Sequence, residues 1–134
     1  MEKFDWPIRV YYEDTDSGGV VYHSQYLNFM ERARTEWLRQ LGFEQDELIT
    51  EHQCIFAVHS MQLQFKRPAR FNDALIVSSG VSDVSGASLS FEQRVLRDNE
   101  LLCQAAVKVA CLDSGRFWPK SIPKFMIMRM QGEC

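Results

Sequence analysis

Apolar side chains occupy every second position from Phe4 through Trp6, Ile8 and Val10 to Tyr12, the period of a strand with one buried face. A first strand is expected there. Beyond a glycine-containing stretch the period changes. Tyr26, Met30, Ala33, Trp37 and Leu41 recur at helical spacing, and Leu27 and Leu38 widen the stripe. With Ser24 placed as N-cap and Gly42 as C-terminal stop, the pattern predicts one helix of about 18 residues, roughly 27 Å long. Its other face carries Glu31, Arg32, Arg34 and Glu36. These read as a solvated or interface side, with Glu31/Arg34 and Arg32/Glu36 ion pairs worth about 0.2–0.5 kcal/mol each.

A looser segment follows from Phe43 to Gln53, and then alternation returns. Ile55, Ala57, Met61, Leu63 and Phe65 share one predicted face with His59 in the same row. Leu75, Val77 and Val81 mark another strand. Ala87, Leu89, Phe91, Gln93 and Val95 mark the next, opposed by Ser88, Ser90, Glu92 and Arg94. Leu101, Cys103, Ala105, Val107, Val109 and Cys111 form the last, and the tail FWPKSIPKF suggests a short extra strand. The separators RPARFND, SDVSG, RDNE and DSGR are turn-like and short, which favours antiparallel neighbours. Strand, long helix, then four strands implies an α+β fold in which an antiparallel sheet curls around the helix. The open sheet edges call for at least a dimer.

Composition narrows the function. The chain has 134 residues, 46% hydrophobic and 25% charged, which fits one domain over 1–134. A net charge of -3 with basic and acidic residues intermixed argues against nucleic-acid binding. No run approaches the ~18 apolar residues of a membrane span, and MEKFDWPIRV lacks the features of a signal peptide. A cytoplasmic location is the expectation. Cys54, Cys103, Cys111 and Cys134 show no CxxC spacing, and on one strand Cys103 and Cys111 would lie roughly 26 Å apart. Reduced, mostly buried thiols are expected.

Candidate chemistry concentrates in YEDTDSGGVVYHSQY, residues 12–26. Counted as a calcium loop from Asp14, its sixth position is Gly19. The fifth is Gly18, however, without a side-chain oxygen, and the twelfth is Gln25 where a bidentate Glu is needed. A metal held by Asp14, Asp16 and His23 would lack further ligands, since His52 and His59 belong to other segments. No GK[ST] follows the glycines, no GxSxG elbow exists, and no cysteine sits beside a helix start. What remains is a carboxylate and a helix N-terminus separated by a glycine turn. The free N–H groups of the first helical turn stabilise an oxygen gaining negative charge, and Gly18 and Gly19 allow close approach of substrate. The carboxylate can then attack an activated acyl carbon or take a proton from water. A thioester is reactive enough to need neither metal nor cofactor.

The run RVYYEDTDSGGVVYHSQYLNFMERARTEWL resembles the signature of hotdog-fold acyl-CoA thioesterases of the 4-hydroxybenzoyl-CoA thioesterase family, and most closely the bacterial branch associated with the Tol-Pal system. The similarity extends through FKRPARFND and WPKSIPKF, from about Trp6 to Pro123. It implies a sheet wrapped around one long central helix and a homodimer or homotetramer with sites across the interface. It also singles out Asp16 as the catalytic carboxylate and the His23 N–H as the donor to the thioester oxygen. Asp14 and Glu13 then become turn-capping neighbours.

With acyl-CoA as substrate, and acyl carrier protein as a second candidate carrier, Tyr12, Gly19, Tyr22 and Tyr26 are candidate walls of the substrate site. Lys66 and Arg67 are the candidate phosphate binders, with Arg70, Arg116 and Lys120 as further cations. His59 reads as a core or interface histidine. A second hotdog lineage would instead use a helix carboxylate, Glu31 or Glu36. The rival functions are a hotdog hydratase or dehydratase, and a non-catalytic acyl-CoA or acyl-carrier binding module.

Overall fold

The computed structural model describes residues 3–132; Cys134 lies outside them. Strand β1 (Phe4–Arg9) leads through a single 3-10 turn (Tyr12–Asp14) to helix α1 (Gln25–Gln40). A short helix α2 (Gln45–His52) precedes β2 (Cys54–Phe65), β3 (Ala74–Ser85), β4 (Ser88–Arg97) and β5 (Glu100–Asp113), and α3 (Lys124–Met130) closes the chain. The five strands form one antiparallel sheet in the order β1-β3-β4-β5-β2, so β1 and β2 are the edges. The sheet curls around α1, whose Phe29, Met30 and Ala33 are fully buried against its concave face. Burial of Phe29 and of Met30 contributes about 1.5–3 kcal/mol each, while the small Ala33 lets the helix approach the sheet.

The predicted helix is real, with one local difference at its start and the expected glycine stop at its end. Ser24 occupies the N-cap position but makes no side-chain cap and already has helical angles. At the other end Gly42 (φ +96) donates to the Arg39 carbonyl while the Phe43 N–H reaches back to Leu38, a Schellman stop. The Phe43–Gln53 segment, expected to be irregular, contains α2. Only Leu48 of this helix is buried, so it carries almost no apolar period. The tail adds an isolated Leu112–Pro119 bridge and then α3 in place of a last strand.

The ladders carry three register shifts, one of them in β3 between Val81 and Asp83, and the other two displace expected core rows. A bulge between Val58 and Ser60 inserts His59, so Phe56 and Val58 share a face with Met61, Leu63 and Phe65, while Ile55 and Ala57 point the other way. His59 is therefore an exposed bulge residue and not part of a core row. A second bulge near Leu101 turns Leu102 inward, fully buried. The RPARFND connection is likewise no hairpin: it crosses from edge strand β2 to β3, which pairs with β1 and β4. Arg97 anchors this region, with 2.8 Å to Asp73 and 2.9 Å to Glu100.

Arg34, expected on the solvated face, is 7% exposed. Its Nη1 donates to Gln93 Oε1 at 2.8 Å, and Gln93 Nε2 donates to the Met30 carbonyl and Ser79 Oγ at 3.0 and 2.9 Å. Burial lowers the Arg34 pKa, with partial compensation from Glu31 at 3.4 Å. Of the surface pairs, Glu31–Arg34 forms, whereas Glu36 pairs with Arg39, not Arg32. Gln93→Leu is expected to strand the buried guanidinium and cost about 2–3 kcal/mol in urea unfolding. The double change Arg34→Met with Gln93→Leu is expected to recover most of that loss.

Candidate active site

The chain leaving β1 has to reverse direction and enter α1, and backbone hydrogen bonds fix how it does so. Val10 N–H donates to the Asp73 carbonyl at 3.0 Å. In the 3-10 turn Asp14 is 5% exposed, and its Oδ2 accepts the Tyr11 N–H at 2.8 Å. Its carbonyl accepts the Tyr22 N–H at 2.9 Å. Asp14 is thus consumed as a structural staple between the two arms of the loop.

Asp16 is arranged differently. Its N–H donates to Val20 and its carbonyl accepts from Gly19, closing a tight hairpin flanked by the Thr15–Val21 bridge. Its Oδ1 accepts the Gly18 N–H at 2.8 Å, and among the described residues Oδ2 has no protein partner. The carboxylate is exposed, held by one oxygen and free at the other. Gly19 sits at φ +79, where L side chains are strained, and a Cβ on Gly18 would lie 3.1 Å from Asp16 Oδ1. The turn therefore favours glycine at 19 for its backbone angle, while a side chain at 18 would press on the Asp16 carboxylate.

The hairpin is stitched to the crossover and to the helix. Val20 bridges Arg70, and Val21 N–H donates to the Ala69 carbonyl at 2.8 Å. Ala69 N–H in turn donates to the Tyr26 hydroxyl oxygen at 3.0 Å. Tyr26 is 3% exposed, edge-on to Phe29 and Phe65. Burial raises its pKa, countered in part by that bond. Gln25 and Leu27 amides donate to Tyr22 and Ser24 carbonyls, while those of His23, Ser24 and Tyr26 find no protein acceptor among the described residues. The uncapped helix start and the free Asp16 oxygen therefore lie at the same end of α1.

The remaining expected residues divide between the two ends of the molecule. His23 is exposed, its ring 4.3 Å from that of Tyr22, which is also exposed. Tyr12 is 79% exposed and edge-to-face with Phe71. Lys66 and Arg67 donate their amides to the Leu102 carbonyl at the hairpin's end of the sheet, but Arg67 is already paired with Glu100 at 3.1 Å. Arg70 stands beside Val20. Arg116 lies over Trp118, and Lys120 donates to the His52 carbonyl, near the far end of β5. Ten residues of strand put them roughly 30 Å from the crossover.

Sequence reasoning missed the polar floor beneath α1. A cavity of about 350 Å³ opens between α1 and the sheet, with Glu31, Arg34, Trp37, Phe56, Leu89 and Val109 among its walls. The signal was present, since Arg34 falls four residues after Met30 in the buried stripe, and Gln93 lies in the apolar row of β4. Among the described residues no cluster of three or more His, Cys, Asp or Glu side chains could hold a metal ion, and no helix is long and apolar enough to cross a membrane.

Residues 10–129 match the sequence profile of the thioesterase-like superfamily. The chain is 50% identical over 121 residues to the acyl-CoA thioesterase YbgC of Haemophilus influenzae, covering 90% of this chain and 89% of that one. It is 45% identical over 125 residues to the acyl-CoA thioester hydrolase YbgC of Escherichia coli, covering 92% of each. A probable thioesterase from Bartonella henselae superposes with a TM-score of 0.88 at 35% identity, covering 91% of this chain and all of that one. The hotdog fold that the resemblance implies, consistent with the α+β arrangement read from the helix and strand periods, is the fold of these neighbours.

Tyr26→Phe keeps the aromatic packing and removes the acceptor of the buried Ala69 amide. Urea unfolding is expected to show a loss of about 1–3 kcal/mol, with faster amide exchange at Val21 and Ala69.

Proposed function

The chain belongs to the thioesterase-like superfamily and is an acyl-CoA thioesterase, and from that premise we propose that Asp16 is its working carboxylate, with the amides at the start of α1 as oxyanion donors. The observation carrying this reading is the difference in burial of the two acids: each accepts one backbone amide, but Asp14 is buried in the 3-10 turn while Asp16 stands open to solvent. The thioester carbonyl oxygen would take the His23 N–H, one of the unpartnered amides, where the helix dipole favours negative charge.

Two routes use this geometry. In one, Asp16 removes a proton from water, hydroxide adds to the carbonyl carbon, and the tetrahedral intermediate collapses to free acid and CoA thiolate. In the other, Asp16 adds directly and expels the thiolate, leaving a mixed anhydride that water then cleaves. Glu31 and Glu36 are poorer candidates, because Glu31 pairs with Arg34 and Glu36 with Arg39.

Asp16 is open to solvent on the isolated chain, whereas thioester hydrolysis gains from a covered site. The uncovered carboxylate and the unpaired edges of β1 and β2 support a homodimer or homotetramer that encloses the site with a second copy. Tyr12, Gly19 and Tyr22 would line the mouth, while Tyr26, with its hydroxyl engaged, would act as a wall from behind. Lys66 and Arg70 are the better placed cations for the CoA phosphates, with Arg67 available only by releasing Glu100. The D-x-D-x-G run supports placement in the 4-hydroxybenzoyl-CoA thioesterase family and its Tol-Pal-associated branch. Acyl carrier protein is a second acyl donor to be tried, and cytoplasm the proposed location.

Thiol release from a panel of short, long and aromatic acyl-CoAs tests the assignment. Asp16→Asn is expected to lower kcat about 10²–10⁴-fold with the unfolding midpoint unchanged; retention of most of the rate would mean another group does the work. Single turnover in heavy-oxygen water separates the routes, since label entering Asp16 marks the anhydride.

A further inference from the structure

Two buried nucleophiles lie outside the acyl-transfer site. Cys54 opens β2 and Cys111 stands near the end of β5. The register pairs Cys54 with Asp113 and Phe56 with Cys111, so the thiols are diagonal neighbours on one face of adjacent strands. Their sulfurs are 3.1 Å apart and both side chains are fully buried. A disulfide needs sulfurs about 2.0 Å apart, so closure asks for about 1 Å of movement between residues already aligned by the β2–β5 ladder. Cys103, also buried on β5, is opposite Phe65 and Val95 and has no such neighbour among the described residues.

The surroundings make one sulfur the first to react. The hydrogen bond with Cys111 holds the Cys54 thiol below its ordinary range, helped by the Lys120 ammonium and opposed by burial. The same bond and burial push the Cys111 thiol far up, and burial alone pushes Cys103 up to about 11. Lys120 is held in place by the His52 and Gln53 carbonyls, 2.6 and 3.4 Å from its Nζ. The thiolate is the form that attacks an oxidant.

Helix α2 immediately precedes Cys54 and packs against β2. That helix has one buried residue, Leu48, and ends on Gln53 with left-handed angles, φ 50. With one buried side chain and exposed hydrogen bonds to Thr35, Ser114 and Lys120, this helix opens locally at a smaller free-energy cost than the core strands and exposes the start of β2.

We propose that Cys54 and Cys111 form a peroxide-responsive dithiol whose disulfide ties the start of edge strand β2 to β5. The Cys54 thiolate attacks one oxygen of hydrogen peroxide, and the O–O bond breaks. The product is Cys54 sulfenic acid, and the departing hydroxide takes up the thiol proton as water. Cys111 sulfur then attacks the sulfenic sulfur, the S–O bond breaks, and the second hydroxide leaves as water with the Cys111 proton. Two thiols give up two electrons in total and the peroxide takes them. Phe56, the cross-strand partner of Cys111, lines the cavity beneath α1 together with Val109. The link therefore stiffens one end of that cavity.

The test treats the reduced full chain with hydrogen peroxide at low molar excess, quenches with catalase and alkylates under denaturing conditions. The expected product is lighter by about 2 Da before alkylation, with two of the four cysteines blocked, a linked peptide pair containing Cys54 and Cys111, and reversal by dithiothreitol. Cys54→Ser is expected to abolish the link, and Cys111→Ser to leave Cys54 as a sulfenic acid trapped by dimedone. In native hydrogen exchange the amides of Gln53 and Ile55 should slow by about tenfold once linked. The proposal is overturned if Cys54 and Cys111 both stay alkylatable at a dose that oxidises Cys103 or Cys134. It also fails if dimedone labels another cysteine in Cys111→Ser, or if the linked chain exchanges as fast as the reduced one.

Discussion

One buried phenol oxygen holds the site together. The Tyr26 hydroxyl accepts the Ala69 N–H, and the Ala69 carbonyl accepts the Val21 N–H. The first turn of α1, the crossover and the arm of the glycine hairpin are therefore joined by two bonds in series. Buried backbone amides must find partners, and here that requirement decides where the hairpin sits relative to the helix. Without it, the crossover would still meet the hairpin at Val20–Arg70 and Val21–Ala69, but nothing in this series would tie the two to the first turn of the helix.

The same economy of polar groups separates two acids that look equivalent in DTD. Asp14 is drawn inward because the 3-10 turn exposes the Tyr11 amide to it. Asp16 also accepts one amide, that of Gly18, but its hairpin turns the carboxylate outward, where it stays exposed. Beneath the helix, Arg34 and Gln93 solve a different problem: a guanidinium in an apolar layer is tolerable only because Gln93 accepts from it while donating to Met30 and Ser79.

Much of this was legible in the sequence because period carries the information. The 3.6-residue stripe from Tyr26 to Leu41 located the helix, and the alternations of β3, β4 and β5 located most buried positions. A bulge destroys that signal locally. Past His59 every side chain of β2 changes face, and no composition cue in AVHSMQ marks the extra residue. Helix α2 was invisible for a related reason: one buried leucine in eight residues leaves no stripe to count. The contact between Cys54 and Cys111 depends on register between strands far apart in sequence, which a single chain's pattern does not encode. For the site, spacing supplied the carboxylates and glycines, the family resemblance chose between the acids, and the geometry added their difference in burial.

The strand order β1-β3-β4-β5-β2 also bears on how the chain is born. Strands β3, β4 and β5 are a meander of consecutive hairpins, whereas β1 and β2 pair only with strands that follow them by a long stretch of sequence. As the chain leaves the ribosome, its first half carries the central helix and both edge strands before any partner strand exists. That half cannot bury its apolar stripe until the meander emerges, so completion of the sheet waits on the C-terminal half and the nascent chain is open to chaperones in the interval.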